Sequence, residues 1–489
     1  MKKSRLSILT NQPRGLYVLC LTAMWEYFSY YGMRALLVLY MSKALLFSDE
    51  KSYTIYGGYG ALVYITPLLG NWLASQFMNH RLTIMLGCLG LIVGHVFLAF
   101  GGLPLFYFSL ALIICGNGLS KPNIVHMLGM LYDKQHEGRN AGFTLFYVGA
   151  NVGSFLAPLV CGVIASVYGW TWGFMCAGLG MIFGLVVFYL GKHHLPLTVK
   201  PMKRTVEQTR AFQTGLWVFP ILIVSIVLVM ALLKAALAGG FLNIVSVIAI
   251  GYLVWVCIQS KKEARKGIIA MGILLFFGTV FWAFDQQAGS SITLFTDRIV
   301  DRNLWGWTIP VPFFQSVNPI VIMIVGPLLS LLWLRLDKQH KGLTPGVKFC
   351  IALFLACVSF LILVLAAWWY QRFGSASFLW VVLAYFIITV GELCCEPVGL
   401  AAANSLPPKH MAGVMISYWY LFTGAYANYL ASLIAKLTSY NAKQNTLQFA
   451  AKIYQHVFFE VGMVAIIACV LMIMSVYTMR HFSKKHKVL

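Results

Sequence analysis

The chain has 489 residues, of which 60% are hydrophobic and only 10% charged, and its mean hydropathy is +0.80. Soluble proteins of this size carry about 25% charged residues, so the composition excludes a soluble fold and points to a polytopic membrane protein. The formal charge of +22 does not indicate nucleic-acid binding, because Lys and Arg gather in the short loops of one side.

The N-terminus, MKKSRLSILTNQPR, is basic, but no short apolar core with a small-residue cleavage site follows it. The first span therefore reads as an uncleaved signal. Fourteen apolar spans follow in order: 15–46, 52–79, 81–101, 103–131, 138–168, 170–191, 214–237, 240–260, 266–297, 311–335, 345–371, 375–405, 409–438 and 447–479. Runs of about 20 residues argue helices rather than the short alternating strands of a barrel. Gly (43) and the aromatics suit closely packed helices with interfacial belts. Alternate loops carry KKSR, DKQHEGR, KHHLPLTVKPMKR, KKEARK, RLDKQHK, PKH and SKKHK, whereas the loops between them are poor in basic residues. The positive-inside rule then expects both termini in the cytoplasm.

GNGLSKP (116–122) and GELCCEP (391–397) match in their glycine and in a closing charge–proline pair, and NAGFTLFYVGANVG (140–153) is echoed by MAGVMISYWYLFTG (411–424). Both pairs are offset by about 270 residues, which reads as a parallel repeat of two six-helix halves around a midplane site. The expected organisation is an N-terminal six-helix bundle at 1–191, a linker with two extra transmembrane helices at 192–265, and a C-terminal six-helix bundle at 266–489.

Six ionisable residues fall well inside the spans: Glu26, Arg34, Lys121, Asp285, Glu392 and Glu396. Such groups are rare in hydrocarbon and mark pathways, pockets or helix-fastening ion pairs. Glu26 and Arg34 are roughly 12 Å apart along one helix, so each needs a partner from another helix. The first half holds two bases and one acid, the second three acids. A ligand with an anionic and a cationic end, such as a free amino acid or peptide, fits that asymmetry. Asn151 and Asn318 add uncharged hydrogen-bonding groups, and Pro122 and Pro397 free backbone carbonyls beside the charges. Elsewhere, His95 and His126 read as structural, and His193, His194 and His486 as solvated ends. Asp297, Arg298, Asp301 and Arg302 read as local pairs at a gate or helix end, with Trp305 and Trp307 as interfacial anchors. The eleven cysteines form no CxxC or Cys/His cluster, no phosphate-binding loop appears, and no side-chain set for chemistry is evident, so no metal, cofactor or enzyme activity is expected.

WEYFSYYGMRALLVLYM (25–41), GNGLSKPN (116–123), FTLFYVGANVGSFLAP (143–158), FWAFDQQAGSSITLFTDRIVDR (281–302) and GELCCEPVGLAAANSLPP (391–408) stand in order along the chain. Together they resemble the proton-dependent oligopeptide transporters, a branch of the major facilitator superfamily, and the two extra helices match its bacterial members. The resemblance implies a twelve-plus-two all-α fold in a plasma membrane, a bacterial inner membrane, and uptake of di- and tripeptides driven by protons. By motif position, Arg34 and Lys121 would hold the peptide carboxylate. Glu392, with Asn151 and Asn318, would hold the amino group, and Tyr30, Tyr31 and Tyr64 would line the pocket. Asp285 stands where the family has an acid able to pair with Arg34 as an outer gate.

Three departures qualify that reading. The family's first helix carries Glu-x-x-Glu-Arg, but here Ala23 and Tyr27 replace the first acid and the arginine, leaving only Glu26. Ser75 and Gln76 stand where the superfamily places an Asp-Arg pair. Glu396 occupies a position usually small or weakly polar, one turn after Glu392 on the same face. The coupling proton would then reside at Glu396 with Glu392, or at Asp285, while Glu396 could instead pair with Lys121. The remaining alternatives are an uncoupled facilitator or exchanger of peptide-like zwitterions, and a transport-deficient membrane sensor. Expected partners are small peptides, protons and the lipid bilayer.

Overall fold

In hydrocarbon every backbone N–H and C=O must be satisfied within its own segment, so long apolar runs become helices. The structure, a computed structural model, describes residues 12–132, 138–196, 204–440 and 446–482. Much of the basic loops at 132–139 and 192–204, both basic tails and His486 lie outside those residues.

Among the described residues there are fourteen helical passages. The first eight are α1 (Arg14–Lys43), α2 (Asp49–Gln76), α3 (His80–Phe100), α4 (Gly102–Met130), α5 (Arg139–Tyr168), α6 (Trp170–Gly191), α7 (Arg204–Lys234) and α8 (Ala238–Gln259). The ninth is broken: α9 (Lys262–Asp285) passes through a 3-10 turn, Gln286–Gly289, into α10 (Ser291–Arg298). Then come α11 (Val317–Lys338), α12 (Pro345–Phe373) and α13 (Leu379–Ser405). The thirteenth passage is α14 (Ala412–Trp419), a π turn at Tyr420–Tyr426 and α15 (Ala427–Leu437), and α16 (Leu447–Phe482) is last. Eleven helices are long and apolar enough to cross a membrane by length and composition. α1, α2 and the thirteenth passage fall outside that set.

Two compact units divide the chain. The first holds the chain up to Leu37 together with Leu62–Ala235, and the second holds Val38–Ala61 together with the chain from Ala236 onward. α1 and α2 thus contribute to both, and the extra helices α7 and α8 fall to the first and second unit respectively.

In the first unit small residues let backbones touch. A Cβ on Gly153 of α5 would overlap the Met24 carbonyl oxygen of α1, so only glycine permits this approach, two residues from Glu26. Asn79 caps α3, its side-chain oxygen accepting from the Leu82 N–H at 2.8 Å. In the second unit α12 packs on α13 and α16, and Gly374, left-handed at φ 78°, ends α12 by donating its N–H to Tyr370 O at 2.8 Å. Phe281, Phe295, Phe349, Phe360, Trp419, Tyr454 and Phe458 are fully buried there. A short antiparallel pair, β1 (Asn303–Leu304) with β2 (Trp307–Thr308), carries Trp305 at its tip, 96% exposed.

Candidate functional site

In the first unit α1 and α4 bring most of the expected residues together. Lys121 Nζ lies over the rings of Tyr27 and Tyr30, 4.3 and 5.1 Å from their centroids. The Arg34 guanidinium lies 6.0 Å from the Tyr31 centroid. Tyr30 and Tyr31 meet edge to face at 5.0 Å, and Tyr64 of α2 is a neighbour of Tyr31. Two cations therefore stand in a tyrosine cluster, where aromatic faces offset part of the loss of water. Asn151 is elsewhere engaged in this conformation: its Nδ2 donates to Tyr147 O of its own helix at 2.9 Å.

Glu26 is 1% exposed, and its partner does come from another helix: Asn117 Nδ2 of α4 donates to Glu26 Oε1 at 2.9 Å. Asn117 was not singled out in the sequence, although it sits one helical turn before Lys121 in the GNGLSKP motif.

The second unit gathers the acids. Asn318 Nδ2 donates to Glu392 Oε2 at 2.5 Å and to Thr389 Oγ1 at 3.2 Å. Asp285, at the end of α9, is near enough to Glu392 and Glu396 for their charges to interact. Glu396 accepts at one oxygen, Oε2, from two indoles, Trp282 Nε1 at 3.1 Å and Trp419 Nε1 at 3.0 Å. The Trp419 ring is seated against glycines: a Cβ on Gly399 would overlap it and one on Gly278 would stand 2.9 Å away. Neither indole was anticipated, since the two tryptophans are far from Glu396 in sequence. The π turn right after Trp419, itself a frequent companion of functional sites, has no sequence signal.

Within the same unit the start of α2 is tied down. Arg298 of α10 grips Asp49 through both nitrogens, Nη1–Oδ2 and Nη2–Oδ1 each 2.7 Å. The side chains are 14% and 5% exposed. Arg298 also donates to Tyr454 Oη at 3.2 Å and lies over the Tyr440 ring at 4.9 Å. Next to it, Lys43 Nζ meets Asp297 Oδ1 at 2.7 Å. Of the four charges expected to pair locally, only Asp297 with Arg302, at 3.6 Å, does so. Arg298 and Asp297 bind the α1–α2 turn, because α10 stops beside it.

The remaining polar candidates have structural partners. His95 Nδ1 donates to Leu91 O at 2.6 Å, and Nε2 meets Ser29 Oγ at 3.4 Å. His126 stacks on His80 at 4.1 Å, and His80 Nδ1 meets Asn123 Oδ1 at 2.6 Å. Ser75 Oγ donates to its own helix at Asn71 O, and Arg81 donates to Leu195 O. Among the described residues no group of three or more His, Cys, Asp or Glu is placed to hold a metal ion.

Comparison with known proteins bears on this arrangement. Residues 81–454 match the POT family. An uncharacterized transporter, YclF of Bacillus subtilis, is 35% identical over 441 residues, covering 87% of this chain and 88% of that one. A di-/tripeptide transporter of Lactococcus lactis subsp. lactis is 34% identical over 434 residues, covering 84% and 87%. Among solved structures, a peptide transporter POT in complex with sulfate superposes with a TM-score of 0.80 at 28% identity, covering 98% of this chain and 99% of that one. A point mutant of a peptide transporter POT in complex with alafosfalin gives 0.79 at 28%, with the same coverage.

Proposed function

Since the chain belongs to the POT family of membrane transporters, and is therefore not an enzyme, we propose that it imports di- and tripeptides by alternating access, coupled to protons through acids other than the family's usual set. Arg34 and Lys121 hold the peptide carboxylate among Tyr30, Tyr31 and Tyr64. Glu392, braced by Asn318 and reached by Asn151 in another conformation, holds the amino group. Glu26, Asp285 and Glu396 are the acids available for coupling and gating. The working halves are 1–191 and 266–489 with the extra helices at 192–265 between them, and both termini are cytoplasmic in a bacterial inner membrane. What supports this reading most is the placement of two tyrosine-lined cations in one unit and an amide-braced acid cluster in the other, an arrangement with a cost in hydrocarbon that a zwitterionic ligand offsets.

The test is uptake of a labelled dipeptide into proteoliposomes with and without an imposed pH gradient. Accumulation above the equilibrium level only with the gradient is the expected result, and no uptake under either condition overturns it. The missing acid and arginine at Ala23 and Tyr27 favour a second reading, an uncoupled exchanger, which predicts counterflow that ignores the gradient.

A further inference from the structure

On α16 three ionisable side chains, Lys452, His456 and Glu460, follow one another at four-residue intervals and so share one helix face. All three are exposed. The same face continues inward as Phe459, Met463, Val464 and Ile467, 42–53% exposed, an apolar stripe of the kind that meets lipid. His456 Nε2 stands 3.2 Å from Glu460 Oε1, yet the two side chains keep 73% and 52% of their surface exposed. Ionisable groups on spanning helices almost always face the bundle interior, because lipid is a costly neighbour for them. These three face outward.

Their depth follows from α12. Gln371 Nε2 donates to Gln455 Oε1 at 2.7 Å, two residues before α12 ends at Phe373. Trp368 and Trp369, 45% and 42% exposed, lie within a turn of Gln371, and belts of exposed tryptophan mark the headgroup level. Lys452 to Glu460 spans about 12 Å of helix around Gln455, so the three charges stand at the boundary of headgroups and acyl chains. Helix side chains lean toward the N-terminus, which carries the Glu460 carboxylate back toward the headgroups. Inward from His456 a groove of about 470 Å³ opens between α9, α15 and α16, within the roughly 300–1,000 Å³ of ligand clefts. Phe284, Ile434, Leu437, Val457, Val461 and Val464 line it, and Glu460 puts a charge on its wall.

We propose that this face of α16 binds a phospholipid with a zwitterionic, primary-amine headgroup. One acyl chain lies in the groove, Lys452 holds the phosphate, and Glu460 accepts from the lipid ammonium, with His456 fixing the carboxylate between them. The order along the helix is that of the lipid itself, apolar chain inside and charges outside. Charge complementarity selects the headgroup: a base and an acid on one face match a ligand that carries one of each. An anionic headgroup without an amine would set its phosphate against Glu460 with nothing to offset the repulsion. A quaternary ammonium has the charge but no N–H for the carboxylate to accept. With the cytoplasmic termini proposed above, α16 begins at the outer face and the lipid belongs to the outer leaflet. The binding itself depends on neither that orientation nor transport.

Native mass spectrometry of the full chain in detergent tests it, with dioleoyl phosphatidylethanolamine, phosphatidylcholine or phosphatidylglycerol added in turn. The expected result is retention of the phosphatidylethanolamine at about tenfold lower lipid concentration than either of the others. Glu460→Gln brings phosphatidylethanolamine down to the level of phosphatidylcholine, Lys452→Gln weakens both, and Val464→Trp, which fills the groove, removes the bound lipid. All three positions are exposed, where substitutions change stability little, so the spectra read binding and not folding. Equal retention of the three lipids by the wild type overturns the proposal, as does a preference for phosphatidylethanolamine that survives Glu460→Gln. Lipid-free dimers that dissociate in Val464→Trp overturn it as well, in favour of a second copy of this chain on the same face.

Discussion

Replacing Asp49 by Ala leaves Arg298 almost enclosed, with only the Tyr454 hydroxyl and the Tyr440 ring for company. Charges about 4 Å apart attract by about 4 kcal/mol at the effective dielectric that suits partly buried protein sites. Stripping one partner from a buried pair costs about 3–5 kcal/mol, because the other charge stays behind. The neighbouring pair serves as an internal control: the Lys43 side chain is 49% exposed, and ion pairs of that kind contribute about 0–1 kcal/mol. Thiol-reactive dye fluorescence during heating reads the difference, since none of the eleven free cysteines is fully exposed and each becomes reactive on unfolding. In a double-mutant cycle, Asp49→Ala and Arg298→Ala should couple by about 2 kcal/mol or more. The double substitution Asp49→Leu/Arg298→Met, which removes both charges, should recover most of the stability. A coupling no larger than that of Lys43 with Asp297, about 0.5 kcal/mol, would refute the claim that the bidentate, buried geometry is what holds the α1–α2 turn.

Trp419→Phe removes one of two N–H donors to Glu396 and, being shorter, withdraws the ring from its slot over Gly399, and should lower stability by about 1.5–3 kcal/mol in the same melting assay. Gly399→Ala pushes a methyl group into the Trp419 ring and should cost about 1–3 kcal/mol, a loss that Trp419→Phe in the same chain relieves. Asn318→Leu takes the 2.5 Å donor from Glu392. Under the proposed amine-binding role, free dipeptides should bind about tenfold more weakly, about 1.4 kcal/mol, while N-acetylated dipeptides are indifferent to the change. Isothermal titration with both ligand types makes the comparison.

The fourteen passages were legible because their signal is length and hydrophobicity, which survive any packing arrangement. The membrane-embedded charges were legible for the complementary reason: an ionisable residue in an apolar run stands out without a structure. Their partners were not. Glu26 needs Asn117, a neutral residue in a helix rich in small ones, and Glu396 needs two tryptophans that by themselves look like ordinary core. Asp49 sat among loop charges and gave no hint of its bond to Arg298, because that contact depends on where α10 ends. The break at Gln286–Gly289 and the π turn at Tyr420–Tyr426 were equally silent, since the single glycine in each, Gly289 and Gly424, does not stand out in a chain with 43 of them.

That π turn has a consequence for how this chain can vary. A π turn carries one residue beyond regular α-helical winding, and each residue advances a helix by about 100°. Losing a residue between Tyr420 and Tyr426 would swing the Trp419 indole away from the Glu396 oxygen it serves and vacate the notch above Gly399. The acid at 396 and the surplus residue near 420 look like separate facts along the chain, yet mechanically they can be gained or lost only together.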